Sequence, residues 1–140
     1  VTEVNPADVD LDDLLGEAEA GRTNAYAPYS RFTVGAAVAT DQGVFRGANV
    51  ENASYGLAIC AERVACSSAV AAGARRVDAV AVTSSSPTPT PPCGACRQFL
   101  YEFNPEMTVV SVGGDGRRKR WRLSELLVDG FGPQDLGGAP

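Results

Sequence analysis

Cys60, Cys93, Cys96 and Glu62 are the residues of this sequence whose types and spacing could do chemistry together. Cys93 and Cys96 lie three apart in Pro92-Cys93-Gly94-Ala95-Cys96, which on one helical turn puts both sulfurs on one face. Cys60-Ala61-Glu62 opens a second run. Each cluster follows turn-forming residues, Tyr55-Gly56 and Pro91-Pro92, and precedes a helical stretch. At a helix N-terminus the exposed N–H groups and the dipole stabilise a thiolate, the form that binds metal. Gly94 allows close backbone approach and N–H···S bonds. Three thiolates with a fourth position open is how catalytic, as opposed to structural, zinc is held.

Cys66 is a poor fourth ligand. On a helix it would stand about 9 Å along the axis from Cys60 and about 120° around it. Two sulfurs on one zinc must lie within about 4 Å of each other. Cys66 therefore reads as a small buried hydrophobe. Glu62 is two residues from Cys60, and mid-helix the two would point about 200° apart. They can share a site if Cys60 occupies the cap, where the backbone is not helical. Glu62 then suits a general acid/base for a metal-activated water, since it need not bind the metal itself. Three thiolates and Zn²⁺ sum to a net negative charge, which Glu62 worsens. Arg63, three residues from Cys60, is placed to donate to the sulfurs and offset it.

The rest of the composition narrows the chemistry further. There is no histidine, so Ser-His, Cys-His and all-His zinc mechanisms are excluded. The opening Val1-Thr2-Glu3-Val4 shows no basic stretch leading into an apolar one, so no secretion signal is expected and the location predicted is cytoplasmic. In that setting the cysteines are expected to be thiols or metal ligands, not disulfides. A formal net charge of −5 argues against a protein that tracks nucleic-acid backbone. Arg117, Arg118, Lys119, Arg120 and Arg122 run against that balance. They could be a phosphate-binding patch, but read more simply as a charged strand that keeps a sheet edge from pairing or meets an acidic helix. The longest apolar runs, such as Val77 to Val82, are far short of the ~20 residues of a membrane helix.

The elements that must position the site follow from periodicity. The 140 residues predict a single domain over 1–140, without internal repeat or long linker. Leu11, Leu14, Leu15 and Ala18 mark an amphipathic helix from Asp10 to about Thr23. Phe32 to Ala39 and Val44 to Val50 read as strands around the turn Thr40-Asp41-Gln42-Gly43, with Gly35, Ala36 and Ala37 leaving room for close packing. Cys60 to about Ala72 is an Ala-rich, buried helix stopped by Gly73, and Val77 to Thr83 a central strand. The proline-rich Ser84 to Pro92 must be loop. Gly94 to Phe103 is helix, Met107 to Val112 and Arg118 to Arg122 are strands, and Ser124 is expected to cap a short helix through Leu127. The order α-β-β-α-β-α-β-β predicts an α/β fold, one mixed five-stranded sheet between helices in three α/β/α layers.

Taken together, Cys60-Ala61-Glu62 and Pro92-Cys93-Gly94-Ala95-Cys96-Arg97-Gln98 resemble the zinc signature of cytidine deaminases, in their small homotetrameric form. The resemblance continues through Phe32-Thr33-Val34-Gly35-Ala36-Ala37 and Asn49-Val50-Glu51-Asn52-Ala53-Ser54-Tyr55. It closes with Leu126-Leu127-Val128-Asp129-Gly130-Phe131-Gly132-Pro133, where Val128 replaces a usual Pro. It implies a cytidine deaminase-like fold and hydrolytic deamination of cytidine and 2′-deoxycytidine to the uracil nucleosides and ammonia, as in pyrimidine salvage. Cys60, Cys93 and Cys96 would hold Zn²⁺, and Glu62 would shuttle protons. Ala61 would offer its N–H to the pyrimidine O2. Asn49 and Glu51, two apart and so on one face of a strand, would bind ribose hydroxyls. Phe32 and Phe131 would line the base pocket, and Tyr55 and Phe131 would enter a neighbouring subunit's site. The partners implied are a small-molecule nucleoside and further copies of the chain, a homo-oligomer and by resemblance a tetramer, with no membrane and no nucleic acid.

Three other readings stay open on sequence. Cys93-Gly94-Ala95-Cys96 is also a thioredoxin-like Cys-x-x-Cys, though this leaves Cys60, Glu62 and Arg63 without a role. A non-catalytic zinc module would use Cys66. A deaminase of nucleic-acid polymers would use Arg117 to Arg122 as its strand channel, against the net acidity and the Asn49/Glu51 pair.

Overall fold

Asp10 starts the first helix: its carboxylate accepts the N–H groups of Asp12 at 3.0 Å and Asp13 at 3.2 Å. Helix α1 (Leu11–Arg22) buries Leu14, Leu15, Ala18 and Gly21 on one side. Strands β1 (Val34–Thr40) and β2 (Gly43–Ala48) form the expected hairpin, closed at Gly43 with φ 103°, where a left-handed backbone favours glycine. Helix α2 (Ala61–Ala71) ends before Gly73, and β3 (Val77–Ser84) is buried along its whole length. Then come α3 (Gly94–Tyr101), β4 (Thr108–Val112), β5 (Arg118–Arg122) and α4 (Leu123–Leu126). This computed structural model describes residues 9–137, so the N-terminal residues considered for a secretion signal lie outside it.

The five strands make one sheet in the order β2-β1-β3-β4-β5, with only the β3–β4 pair parallel. A parallel pair needs a crossover, and α3 supplies it between β3 and β4. Leu14, Leu15 and Ala18 of α1 pack on Ala37, Ala39, Ala79, Ala81 and Val110 on one face of the sheet. Ala61, Ala65, Cys66 and Ala69 of α2 join Val38, Val80, Val82, Leu100, Met107 and Leu123 on the other. The architecture is a three-layer α/β/α fold around a mixed five-stranded sheet.

Small residues let the helices lie close. A Cβ on Gly35 would stand 2.1 Å from the Ala18 carbonyl oxygen of α1. One on Gly47 would stand 2.4 Å from both Ala61 O and Ala65 N of α2. Gly47 thus presses on the helix turn next to Cys60.

One reading changes. Ser124 does not cap α4. β5 runs straight into that helix, Arg122 takes the cap position, and Glu125 accepts the Arg122 N–H at 2.7 Å. The basic run is an edge strand, as expected of a charged one, and most of its charge is answered. Arg118 pairs with Asp12 of α1 at 2.5 Å, Arg117 with Asp115 at 2.7 Å and Arg122 with Glu106 at 3.3 Å. Such neutralised arginines make a weak track for a polyanion. Among the described residues, no helix is long and apolar enough to cross a membrane.

Candidate active site

The two cysteine clusters become two helix caps. Cys60 is the N-cap of α2 with φ −73° and ψ 152°, and Cys93 is the N-cap of α3 with φ −68° and ψ 169°. Both are extended, the non-helical backbone of a cap, and neither side chain bonds the first-turn N–H groups of its helix. Cys96 lies inside the first turn of α3 and is fully buried. The sheet sets α2 and α3 side by side on one face, and their N-termini converge.

There the Sγ atoms of Cys60, Cys93 and Cys96 all lie within 4.8 Å of one another, and Cys60 and Cys93 are 3.7 Å apart. Two sulfurs bound to one tetrahedral zinc at about 2.3 Å each would be separated by about 3.8 Å. The donor set fits the metal in type and in spacing. Cys66 is outside the cluster, fully buried among the apolar residues beneath α2.

Electrostatics prepare the thiols. A hydrogen bond from Cys96 is the main influence that pulls the Cys60 thiol down to about 5, and the Arg63 guanidinium assists. The same contact, with burial behind it, raises Cys96. Arg63 reaches Cys60 Sγ through a terminal nitrogen at 3.7 Å. Its Nε is buried with no hydrogen-bond partner among the described residues. A buried donor costs free energy unless a partner satisfies it, so the guanidinium's hold on the sulfur cluster is through its terminal nitrogen alone.

Glu62 is only 4% exposed. Burial pushes its carboxyl up to about 7, and the neighbouring Cys60 charge pushes in the same direction. A carboxyl poised near neutrality suits a group that must both take and return a proton.

A cavity of about 260 Å³ opens over this cluster. Phe32, Asn49, Glu51, Cys60, Ala61, Glu62 and Cys93 all line it, drawn from four separate stretches of chain. Asn49 and Glu51 follow β2. Val50 between them bridges to Tyr26 and Ile59, which holds the segment extended. Tyr55 and Phe131 do not line this cavity within one chain. Tyr55 stands 78% exposed in a 3₁₀ turn, beside a second cavity, and Phe131 is 56% exposed.

Several supporting residues went unassigned on sequence. Arg97 donates to Pro92 O at 2.8 Å and Leu126 O at 2.9 Å, tying the loop before Cys93 to the C-terminal segment. Gln98 forms a reciprocal pair with the Phe131 backbone, donating to its O at 2.6 Å and accepting its N–H at 3.2 Å. Ser30 bonds to Glu51. Both Arg97 and Gln98 directly follow Cys96, which was the available signal. Nothing local marked Ser30.

Comparison with known proteins agrees with this geometry. Residues 10–112 match the family model described as the cytidine and deoxycytidylate deaminase zinc-binding region. A cytidine deaminase of Halalkalibacterium halodurans is 49% identical over 125 residues, covering 88% of this chain and 95% of the relative. One from Mycobacterium tuberculosis is 42% identical over 130 residues, covering 92% and 95%. The crystal structure of a cytidine deaminase from Burkholderia pseudomallei superposes with a TM-score of 0.84 at 47% identity, covering 88% of this chain and all of that one. With residues 10–112 under that family model and relatives 42% and 49% identical over nearly its whole length, the chain belongs to the zinc-dependent cytidine deaminase family.

Proposed function

We propose that this protein is a cytidine deaminase that hydrolyses cytidine and 2′-deoxycytidine to uridine and 2′-deoxyuridine, releasing ammonia, in pyrimidine salvage. The observation that carries this reading is the convergence of three cysteine sulfurs beneath a cavity that Cys60, Cys93 and a buried carboxyl poised near neutrality line. In this reading Cys60, Cys93 and Cys96 hold Zn²⁺. When bound, the zinc supplies a Lewis acid that makes a water more acidic and more nucleophilic at neutral pH.

The chain's own residues do the rest. Water adding at C4 of the cytosine pushes the C=N electron pair onto ring N3, which then needs a proton. Glu62 takes a proton from the water and delivers it to N3. It then passes the second proton to the C4 amino group, which leaves as ammonia while C4 becomes a carbonyl. Burial keeps competing water away from the Glu62 carboxyl and keeps its proton affinity high enough for both transfers. The Ala61 N–H, at the start of α2, donates a hydrogen bond to the pyrimidine O2. Phe32 offers a flat face to the base. Asn49 and Glu51 grip the ribose hydroxyls, which favours a free nucleoside over a polymer whose sugar oxygens carry phosphate.

The protein acts as one catalytic domain in the cytoplasm and as a homo-oligomer, a tetramer. Association is supported by the exposed Tyr55, Leu57, Val128, Phe131 and Leu136, apolar side chains that other copies would cover. Tyr55 and Phe131 then complete a neighbour's site. A fully active monomer in analytical ultracentrifugation would contradict both points.

The experiment that tests the site contrasts two substitutions. Glu62→Gln should keep stoichiometric zinc and lose turnover by at least ~10²–10⁴-fold. Cys93→Ala should lose the metal and lower thermal stability, because the site ties two helix starts together. Near-normal activity in the first variant, or undiminished zinc in the second, would overturn the assignment.

A further inference from the structure

The Glu51 carboxylate is held by the chain itself, from a loop more than twenty residues away. Its Oε1 accepts the N–H groups of Tyr29 at 3.0 Å and Ser30 at 3.1 Å, and its Oε2 accepts the Ser30 hydroxyl. Ser30 Oγ also accepts the Phe32 N–H at 3.0 Å. Between them Arg31 adopts a left-handed backbone, φ 59°, uncommon outside glycine and asparagine. Asn49 fixes the far end of the same loop, donating to Phe32 O at 2.8 Å and accepting Val34 N–H at 2.9 Å. One bonded network therefore includes the carboxylate, the amide and the aromatic residue that line the cavity.

A carboxylate has about four lone-pair directions. Three donors from the loop occupy three of them. What remains is one acceptor direction on Oε2, next to the Ser30 hydroxyl. We propose that Ser30 is a positioning residue of this site: by bridging Glu51 and Phe32 it fixes the carboxylate so that one ribose hydroxyl, and no second one, is accepted at a set distance from the base pocket. The inference rests on the reading of Glu51 as a ribose-binding residue. It makes the site selective for a sugar bearing a hydroxyl that can donate, since a phosphate ester at that position offers no hydrogen and meets a carboxylate charge. The Ser30 hydroxyl is also the largest influence holding the Glu51 carboxyl below its ordinary range, which keeps it an acceptor.

The test uses zinc-loaded protein and a double-mutant cycle. Ser30→Ala should raise KM for cytidine about ten-fold with kcat nearly unchanged, the pattern of lost uniform binding. Glu51→Gln should raise KM at least as much, and Ser30→Ala added to Glu51→Gln should cost little more, because Ser30 acts through the carboxylate. A loss in kcat instead of KM, or full additivity in the double variant, would overturn the proposal. A separate readout does not depend on turnover: the carbon-detected titration of the Glu51 carboxyl should move to higher pH in Ser30→Ala. An unmoved titration would refute the positioning role even if the enzyme is active. A moved titration in a protein that leaves cytidine untouched would uphold the hold on Glu51 and place the failure in the deaminase reading.

Discussion

Gly47→Ala probes how the sheet places the catalytic helix. Gly47 lies in β2 against the first turns of α2, whose N-cap is Cys60 and whose second residue is Glu62. An added Cβ would meet Ala61 O at 2.4 Å, Ala65 N at 2.4 Å and Ala65 Cα at 2.9 Å. All three are backbone atoms, so no side-chain rotation relieves the clash. Ordinary contact begins at 3.4 Å, so α2 must withdraw from β2 by about 1 Å at this end. Overpacking of this kind costs ~1–3 kcal/mol, which for a domain of this size lowers Tm by about 3–10 °C. A misplacement of about 1 Å at a catalytic group costs on the order of 100-fold in rate. Gly47→Ala is therefore expected to fold with a lowered Tm and to lose about two orders of magnitude in kcat on cytidine. Gly16→Ala is the matched control. A Cβ there meets nothing within 4 Å, and the change should stabilise α1 by about 1 kcal/mol with kcat unchanged. If Gly47→Ala kept both its Tm and its kcat, close contact between β2 and α2 would not be what sets Glu62 in place.

Two further perturbations are independent of that contact. Arg63→Gln should retain zinc but lower kcat by ~10–100-fold, since the guanidinium at 3.7 Å no longer draws charge from Cys60; equal kcat in zinc-replete protein would mean the helix N-termini handle that charge alone. Burial pushes the Cys66 thiol from 9.0 up to about 11, so its contribution to stability is whole below pH 9 and is lost as pH rises from 9 to 11. Between those limits wild-type protein should lose up to about 3 kcal/mol more than Cys66→Ala in denaturant unfolding, and parallel curves for the two would contradict the buried, neutral thiol.

The metal site was legible in the sequence because its chemistry permits few residue types. Without histidine, three cysteines at helix starts pointed to a thiolate site with an open position, with a Cys-x-x-Cys redox pair and a Cys66 zinc module still open as alternatives. The cap geometry of Cys60 followed from the need to bring Glu62 to the same side. The hairpin at Gly43, the start of α1 at Asp10 and the buried β3 were legible for local reasons, in turn chemistry, helical periodicity and an unbroken apolar run. What escaped was set by distance along the chain. Ser30 meets Glu51 across a 21-residue separation, with no periodic pattern to announce it. Gly47 reads locally as a weak strand residue, and only the packed structure shows a helix backbone filling its space. Ser124 is cap-like by type, but strand and helix are continuous there, so Glu125 meets the Arg122 N–H instead. Tyr55 and Phe131 are exposed on the single chain, and nothing in their local sequence marks what would cover them.

The central claim, that the thiol triad and Glu62 form a deaminating site, is tested most directly by one assay. Purified protein with one zinc per chain is mixed with cytidine, and the loss of the cytidine chromophore in the ultraviolet is followed alongside ammonia release. The account expects continuous turnover, one ammonia per cytidine lost, abolished by Glu62→Gln at unchanged zinc content. A folded, zinc-loaded protein that leaves the cytidine spectrum untouched would contradict it.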